Sequence, residues 1–382
     1  MKRTLRSKLP EVGTTIFTVM SELAARHGAV NLGQGFPDYD PDPRLQALVS
    51  EAMRSGHNQY AAFAGVRSLR ERIAQKVARL YGHEYDVDTE ITVTAGATQA
   101  LMSAILAVVH PEDEVIVLDP CYDSYVPGIR LAGGRPVFVP LNREDYGVPW
   151  DRVRASITPR TRLMILNSPH NPSGAVLSAA DLDALESVVR DTGVLLLSDE
   201  VYEHMVFDGL EHQSLARRPE LAERSFVVSS FGKTLHATGW KVGYCCAPAG
   251  LTEELRRVHQ FMVFAVTTPL QHAIASYLQD PAVYEGLAQF YQAKRDRFRR
   301  GLAGSRFRLL PCAGTYYQLV DYSAISDERE EQFARRLTAD HGVASIPVCA
   351  LYAKPVDSRM VRFCFAKKDE TLDRALERLS SL

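Results

Sequence analysis

The chain has 382 residues, of which 46% are hydrophobic and 24% are charged, as in an ordinary folded, water-soluble protein long enough for two or three domains. Its 44 basic and 46 acidic residues give a net charge of −2, so we expect no nucleic-acid partner. The longest uncharged apolar run, residues 101–109, is far too short to cross a bilayer, so we expect no membrane partner either.

The amino terminus and the cysteines bear on compartment and metals. Basic residues in the first eight positions are followed by Pro10, Glu11 and Gly13, where a signal peptide would place its apolar core, so we expect a cytoplasmic protein. The six cysteines form no Cys-x-x-Cys pair and the 11 histidines no His-Glu-x-x-His motif. We therefore expect no disulfide framework and no metal site, with most cysteines buried and a lone histidine such as His204 structural.

Seven short apolar runs follow one another through the first two thirds of the chain. Their composition predicts strands buried on both faces, at 91–94, 114–118, 136–139, 162–166, 194–198, 225–229 and 242–246. Helical stretches at 97–109, 122–132 and 178–191 alternate with them, the last one capped by Ser178. This alternation predicts an α/β domain with a mainly parallel sheet.

The pattern changes after about residue 280. A charged helix at 284–302, a strand at 314–321, a helix at 330–341, a strand at 359–365 and a final helix predict a separate α+β unit.

Ligands bind outside the carboxyl ends of strands in open parallel sheets, so the residues that follow each run matter. The first run leads into a small-residue turn at 94–100 that opens a helix, which is either an anion site or a tight turn eased by Gly96. The run at 162–166 leads to Asn171, flanked by Pro169 and Pro172, which alone is no more than a turn signal.

Two further strand ends carry stronger chemistry. The run at 194–198 ends in Asp199 and Glu200, and a buried carboxylate needs a cationic partner or several donors. The run at 225–229 is followed by Ser230 and Lys233, and a desolvated lysine there could form a Schiff base. A lone lysine is usually a solvated surface group, but four strand ends that direct polar groups to one place favour a site.

These motifs together resemble a known family. The chain resembles the class I/II aminotransferases of pyridoxal-phosphate fold type I in four motifs: Asn171-Pro172, Asp-Glu-Val-Tyr at 199–202, Ser230-x-x-Lys233 and Gly-Trp-Lys-Val-Gly at 239–243. The resemblance extends from about residue 13 to the end of the chain. Segments 33–38, 58–60 and 361–365 resemble the branch of bacterial methionine and kynurenine/glutamine aminotransferases, with the bacterial methionine enzymes the nearest match.

The resemblance implies a large and a small domain and a role for each residue. It implies an arm and part of the small domain at 1–40, a large cofactor-binding domain at 41–279 and a small domain at 280–382. Lys233 would hold pyridoxal 5'-phosphate covalently and carry the substrate proton, and Asp199 would pair with the protonated pyridine nitrogen. Asn171 and Tyr202 would bond the phenolic oxygen, and Tyr122 would stack on the ring.

The remaining implied contacts are to phosphate and substrate. The phosphate would be held by Gly96, Ala97, Thr98, Ser230 and Lys241, and by Tyr60 from the neighbouring subunit of a homodimer. Arg362 would grip the substrate α-carboxylate as a two-pronged fork, with Gly35, Phe36 and Asn171 beside it. Lys241 stands where arginine is common in the family; it keeps the charge but lacks the fork geometry.

The absence of a second arginine guides the substrate prediction. Aspartate-specific members carry one near the stretch that spans 261–269 here, which contains no basic residue. We therefore predict a ping-pong aminotransferase that takes methionine or aromatic amino acids and passes the amine to a 2-oxo acid. A cysteine-S-conjugate β-lyase activity in the same site is the alternative. A transcription regulator built on this fold would carry an added DNA-binding domain, whereas the resemblance here begins within the first ~15 residues.

Overall fold

The computed structural model describes residues 5–354 and 356–382, so the first four positions, which belong to the predicted arm and to the basic amino-terminal segment, lie outside the described residues. Its strands are β1 (Val30–Asn31), β2 (Ile91–Thr94), β3 (Glu114–Asp119), β4 (Arg135–Pro140), β5 (Thr161–Asn167), β6 (Leu195–Asp199), β7 (Ser225–Ser230), β8 (Gly243–Cys246), β9 (Arg308–Leu309), β10 (Tyr317–Asp321), β11 (Val343–Ala344), β12 (Ile346–Pro347) and β13 (Met360–Cys364).

The predicted central sheet is present and mainly parallel, which confirms the fold class. Its order is β2-β8-β7-β6-β5-β3-β4, and β8 alone runs antiparallel to its neighbours. All positions of β3 and β7 are buried, as expected for strands covered on both faces, whereas the edge strand β4 is largely half-exposed. The carboxyl ends of β2, β5, β6 and β7 meet at one edge because these strands run in the same direction.

The helices largely cover this sheet and build the smaller unit. They are α1 (Ile16–His27), α2 (Pro43–Arg54), α3 (Arg67–Tyr81), α4 (Ala97–Val108), α5 (Tyr125–Leu131), α6 (Trp150–Ala155), α7 (Ala179–Val189), α8 (Pro219–Ala222), α9 (Phe231–Thr234), α10 (Ala249–Met262), α11 (Thr268–Tyr277), α12 (Ala282–Glu285), α13 (Leu287–Gly301), α14 (Glu330–Asp340) and α15 (Asp369–Leu379).

The observed ends of several helices and strands can be compared with the ends predicted from the sequence. Ser178 caps α7 as predicted, and Asp181 completes a reciprocal capping box with it. The helix predicted at 122–132 begins only at Tyr125, because the preceding residues form a turn after the strand. The helix predicted at 284–302 is two helices, α12 and α13, which meet at Gly286. The strand predicted from residue 314 begins at Tyr317, and Thr315 has a left-handed φ of 66°.

The carboxyl-terminal unit is an α+β layer. Its four-stranded antiparallel sheet has the order β12-β13-β10-β9, and α15 buries one apolar face formed by Leu372, Ala375, Leu376 and Leu379. The amino-terminal strand β1 pairs in parallel with β11, and α1 packs against α14. The first forty residues therefore include a strand of the carboxyl-terminal unit; the boundaries at 40 and 279 stay predictions.

Three clusters of apolar side chains form the core. The largest joins β2 and β8 of the central sheet to β10 and β13 of the smaller unit, so the two units share buried surface. Five of the six cysteines are buried and all are free. Among the described residues, no helix is long and apolar enough to cross a membrane, and no group of three or more His, Cys, Asp or Glu side chains could hold a metal ion.

Candidate active site

A cavity of about 300 Å³ lies at the carboxyl edge of the central sheet, between the sheet and the carboxyl-terminal unit. All the predicted site residues line it except Phe36 and Tyr60; those that line it are Gly35, Gly96, Ala97, Thr98, Tyr122, Asn171, Asp199, Tyr202, Ser230, Lys233, Lys241 and Arg362. The strand-end residues Asn171, Asp199 and Lys233 therefore lie together, and they are joined by Gly35 and Arg362, which the resemblance implied and which are 327 positions apart in the chain.

Asp199 ends β6 as a buried carboxylate without an ion-pair partner among the described residues. The Tyr125 hydroxyl donates to its Oδ2 at 2.7 Å, and the Val201 amide donates to its Oδ1 at 3.4 Å. Burial raises the pKa of Asp199 to about 6, although these two donors oppose the shift. A carboxylate in this position favours a cation bound in the cavity.

Lys233 lies in α9, just beyond the end of β7, and its amine faces the cavity. Its Nζ donates to the Tyr316 hydroxyl at 2.8 Å and to the Gly35 carbonyl at 3.2 Å. Burial lowers the pKa of Lys233 to about 8. About a tenth of the amine is therefore neutral at pH 7, far more than for a lysine with an ordinary pKa, which suits a nucleophile and proton carrier.

Arg362 occupies the centre of β13 and is only 1% exposed. Its Nη1 donates to Asn171 Oδ1 at 2.7 Å and its Nη2 to the Gly33 carbonyl at 3.1 Å, which orients the guanidinium. The Tyr317 ring lies beneath it, with 3.9 Å between Cζ and the ring centroid. The Nε atom is buried and has no hydrogen-bond partner among the residues that the structure describes, so the fork retains free donors for a carboxylate.

The opposite end of the cavity is suited to an anion. The helix α4 begins at Ala97, and its N-cap Gly96 has a φ of 77° and offers no side-chain cap to the free amides of the first turn. A Cβ on Gly96 would lie 3.4 Å from Nζ of Lys241, so the lysine amine lies beside this helix end. Gly243 is required nearby because a Cβ there would lie 2.8 Å from the Ala97 amide nitrogen.

The structure places Phe36 and Tyr60 outside this cavity. Phe36 is 45% exposed and its ring lies under the Lys367 ammonium, 5.0 Å from Nζ to the ring centroid, so a substrate contact at Phe36 stays a prediction. Tyr60 is 82% exposed and touches only the edge of Phe264 in the aromatic contacts of the described residues.

Several aromatic residues of the site do not stand out in the sequence. Phe17 and Tyr317 contact the Arg362 guanidinium, Tyr316 contacts Lys233, and Tyr125 contacts Asp199. Tyr125 lies within the helix predicted at 122–132, and Tyr317 lies within the strand predicted at 314–321. No local signal showed which neighbour each hydroxyl would meet.

Comparisons with known proteins bear on this arrangement. A family model described as aminotransferase class I and II matches residues 28–379. The methionine aminotransferase of Escherichia coli (strain K12) is 50% identical over 378 residues, 99% of this chain and 98% of that one. A kynurenine–oxoglutarate transaminase of Dictyostelium discoideum is 35% identical over 410 residues, 97% of this chain and 94% of that one.

Solved structures agree with these relatives. The crystal structure of YbdL from Escherichia coli, described as having a methionine aminotransferase function, has a TM-score of 0.98 and 50% identity over 100% of both chains. A mutant of Thermus thermophilus aspartate aminotransferase has a TM-score of 0.91 and 32% identity over 99% of both chains.

The fold and the site thus define a fold type I enzyme. The chain belongs to the aminotransferase class I and II family, which confirms the resemblance stated from the four strand-end motifs.

Proposed function

We propose that this protein is a pyridoxal-phosphate-dependent aminotransferase whose preferred amino donor is methionine, with aromatic amino acids as further donors. The observation that carries the substrate preference is the set of charges in the cavity. Its basic lining residues are Lys233, Lys241 and Arg362, and the first two serve the cofactor. Arg362 alone remains for a substrate carboxylate, so a second carboxylate would be buried without a cation.

The walls of the cavity support an uncharged side chain. Phe17, Tyr122 and Tyr317 line it, and a thioether packs favourably against aromatic edges. Asp123 also lines the cavity without an ion-pair partner among the described residues, and burial raises the pKa of its carboxyl. This carboxylate would repel an acidic substrate side chain, whereas the uncharged side chains of methionine and phenylalanine would not be repelled.

The residues fit pyridoxal phosphate on grounds of their own chemistry. The buried Asp199, with its raised pKa, lacks a cation, and a protonated pyridine nitrogen would supply one. The uncapped start of α4 with Lys241 and Ser230 supplies donors and positive charge for a phosphate. The Lys233 amine lines the same cavity as Asp199 and Arg362 and is available for an aldehyde.

The bound cofactor supplies a conjugated, electron-withdrawing ring that stabilises the electron pair left when the substrate Cα loses its proton. Asp199 would keep the ring nitrogen protonated, and Asn171 with Tyr202 would bond the phenolic oxygen. Lys233 would take the proton from the substrate Cα and deliver it to the carbon that carried the cofactor aldehyde. One water would then hydrolyse the carbon–nitrogen double bond at Cα, which would release the 2-oxo acid and leave the amino group with the cofactor. A second 2-oxo acid then recovers the amine by the reverse steps, so the kinetics would be ping-pong.

The assembly that we propose is a homodimer with composite sites. Tyr60 would reach the phosphate of the partner, and its 82% exposure in one chain leaves it free to do so. Phe264 packs against the Tyr60 ring and is 55% exposed, and Phe261, three residues earlier in the chain, is 87% exposed. Large exposed aromatic groups favour burial in an interface. We also propose a cytoplasmic location, because all six cysteines are free thiols, as is usual in a reducing compartment.

The test is a comparison of donors with one 2-oxo acid acceptor. We expect kcat/KM for methionine to exceed that for aspartate by at least tenfold, because burial of an unpaired charge costs several kcal/mol. A value for aspartate equal to that for methionine would overturn the substrate assignment. The relatives named above are transaminases, which does not favour the β-lyase alternative; release of pyruvate and ammonia from a cysteine conjugate without any oxo acid would revive it.

A further inference from the structure

The hydrogen bonds around the Lys233 amine come from two groups on different segments. Nζ lies 2.8 Å from the Tyr316 hydroxyl and 3.2 Å from the Gly35 carbonyl, and these are its hydrogen-bond partners among the described residues. The Tyr316 hydroxyl itself lies 2.5 Å from the Gly35 carbonyl. The three polar groups form a closed triangle on one side of the amine.

The protons in this triangle can be assigned from donor and acceptor chemistry. A carbonyl oxygen only accepts, so the Tyr316 proton points to Gly35, and the oxygen of Tyr316 must accept from Nζ. Burial raises the pKa of Tyr316 well above its usual value, which keeps that proton in place. A neutral amine has two N–H groups and one lone pair, and the two acceptors use both N–H groups.

The lone pair of the neutral amine is therefore directed away from the triangle. Tyr316 is fully buried and does not line the cavity, whereas Lys233 and Gly35 do, so the Tyr316 hydroxyl holds the amine from behind. The rings of Tyr202 and Tyr317, at 5.1 and 4.9 Å between centroids, fix the Tyr316 ring in turn.

We propose that Tyr316 is a positioning residue for proton transfer: together with the Gly35 carbonyl it holds the released Lys233 amine by its N–H groups and aims the lone pair at the substrate Cα. This proposal rests on the proposed function for its reaction. In the step, the Cα–H bond breaks, the Nζ lone pair takes the proton, and the electron pair remains with substrate and cofactor. Tyr316 keeps its own proton throughout.

The test compares Tyr316→Phe with Tyr291→Phe. Tyr291 is an equally buried tyrosine whose hydroxyl bonds Tyr39 rather than Lys233. Both variants therefore remove one buried hydroxyl, but only Tyr316→Phe removes a hydrogen bond to Lys233. For Tyr316→Phe we expect kcat for methionine to fall by roughly 10- to 100-fold, the scale of a misplaced reacting group, with KM changed less than about twofold. The kinetic isotope effect with α-deuterated methionine should rise toward its full value. Tyr291→Phe should leave kcat and the isotope effect near wild type.

A second readout does not depend on turnover. The enzyme is loaded directly with the amino form of the cofactor, which frees Lys233, and competitive acetylation followed by mass spectrometry reports the pH at which the amine becomes reactive. Loss of one acceptor disfavours the ammonium, so this pH should fall by about 0.5 to 1 unit in Tyr316→Phe. The other charged or titratable groups around the amine, Asp199, Lys241, Arg362 and Cys364, are unchanged in both variants.

The two readouts should move in opposite directions: the amine becomes more available at a given pH, yet the proton transfer slows. Equal kcat values and isotope effects for Tyr316→Phe and Tyr291→Phe, or an unmoved acetylation profile, would overturn the proposal. Failure of the wild-type enzyme to transaminate methionine would instead contradict the proposed function, and the acetylation result would still report on the triangle.

Discussion

Replacement of Arg362 by lysine tests the carboxylate site while it keeps the positive charge. The guanidinium has five N–H donors; one is given to Asn171 and one to the Gly33 carbonyl, which leaves three for a substrate. A lysine ammonium has three donors, and the same two acceptors would take two of them. At most one donor would then remain for the α-carboxylate, so a two-pronged contact becomes a single one.

The magnitude follows from the lost contact. A hydrogen bond to a charged group contributes about 1.5 to 3 kcal/mol, which corresponds to a loss of about 10- to 150-fold in kcat/KM. Every amino acid carries the α-carboxylate, so the loss should be similar for methionine and phenylalanine. A primary amine that retains the methionine side chain but lacks the carboxylate should react with both enzymes at the same low rate.

The assay is steady-state kcat/KM for both donors with one acceptor, with thermal unfolding as a check on folding. Arg359→Lys is the matched control, because Arg359 flanks the same strand but pairs with Asp327 at the surface. We expect that variant to retain wild-type activity. A loss of less than about threefold in Arg362→Lys, or a loss confined to one donor, would refute the two-pronged contact.

Three further predictions concern the cofactor end of the site. Lys233→Ala should fold with a wild-type circular dichroism spectrum and have almost no turnover. Normal turnover in this variant would contradict the assignment of Lys233 as the catalytic amine. Equal amounts of Lys233→Ala and Tyr60→Phe chains, mixed and reassembled, should produce about half hybrid dimers, each with one intact site, if Tyr60 crosses the interface; hybrids no more active per intact site than the Tyr60→Phe homodimer would exclude this. The pKa of Asp199 is about 6 without the cofactor, so its carboxylate gains a proton between pH 7 and pH 5. The affinity of the protein for pyridoxal phosphate should therefore fall about tenfold over this range. Fluorescence titration measures this affinity, and Asp199→Asn should lose the part of the pH dependence that Asp199 contributes; an unchanged profile in that variant would contradict the assignment.

The sequence by itself determined the central sheet and the chemistry at its edge. Runs such as those that became β3 and β7 could be predicted because a strand buried on both faces must be apolar along its whole length. Asp199, Lys233 and Asn171 stood out because polar residues directly after such runs all reach the same edge of a parallel sheet. The family resemblance then supplied Arg362 and Lys241, whose local surroundings show no such signal.

Only the tertiary structure shows which distant side chains form hydrogen bonds with those residues. Tyr125 bonds Asp199 from 74 residues away, Tyr316 bonds Lys233 from 83 residues away, and Arg362 bonds Asn171 across 191 residues. Such contacts are set by how distant segments pack, within the large unit for Tyr125 and between the two units for Tyr316 and Arg362, and periodicity along the chain carries no information about them. The antiparallel direction of β8 and the pairing of β1 with β11 were missed for the same reason. Side-chain type and spacing therefore identify the reacting groups, whereas the packing of distant segments sets their pKa values and their aim.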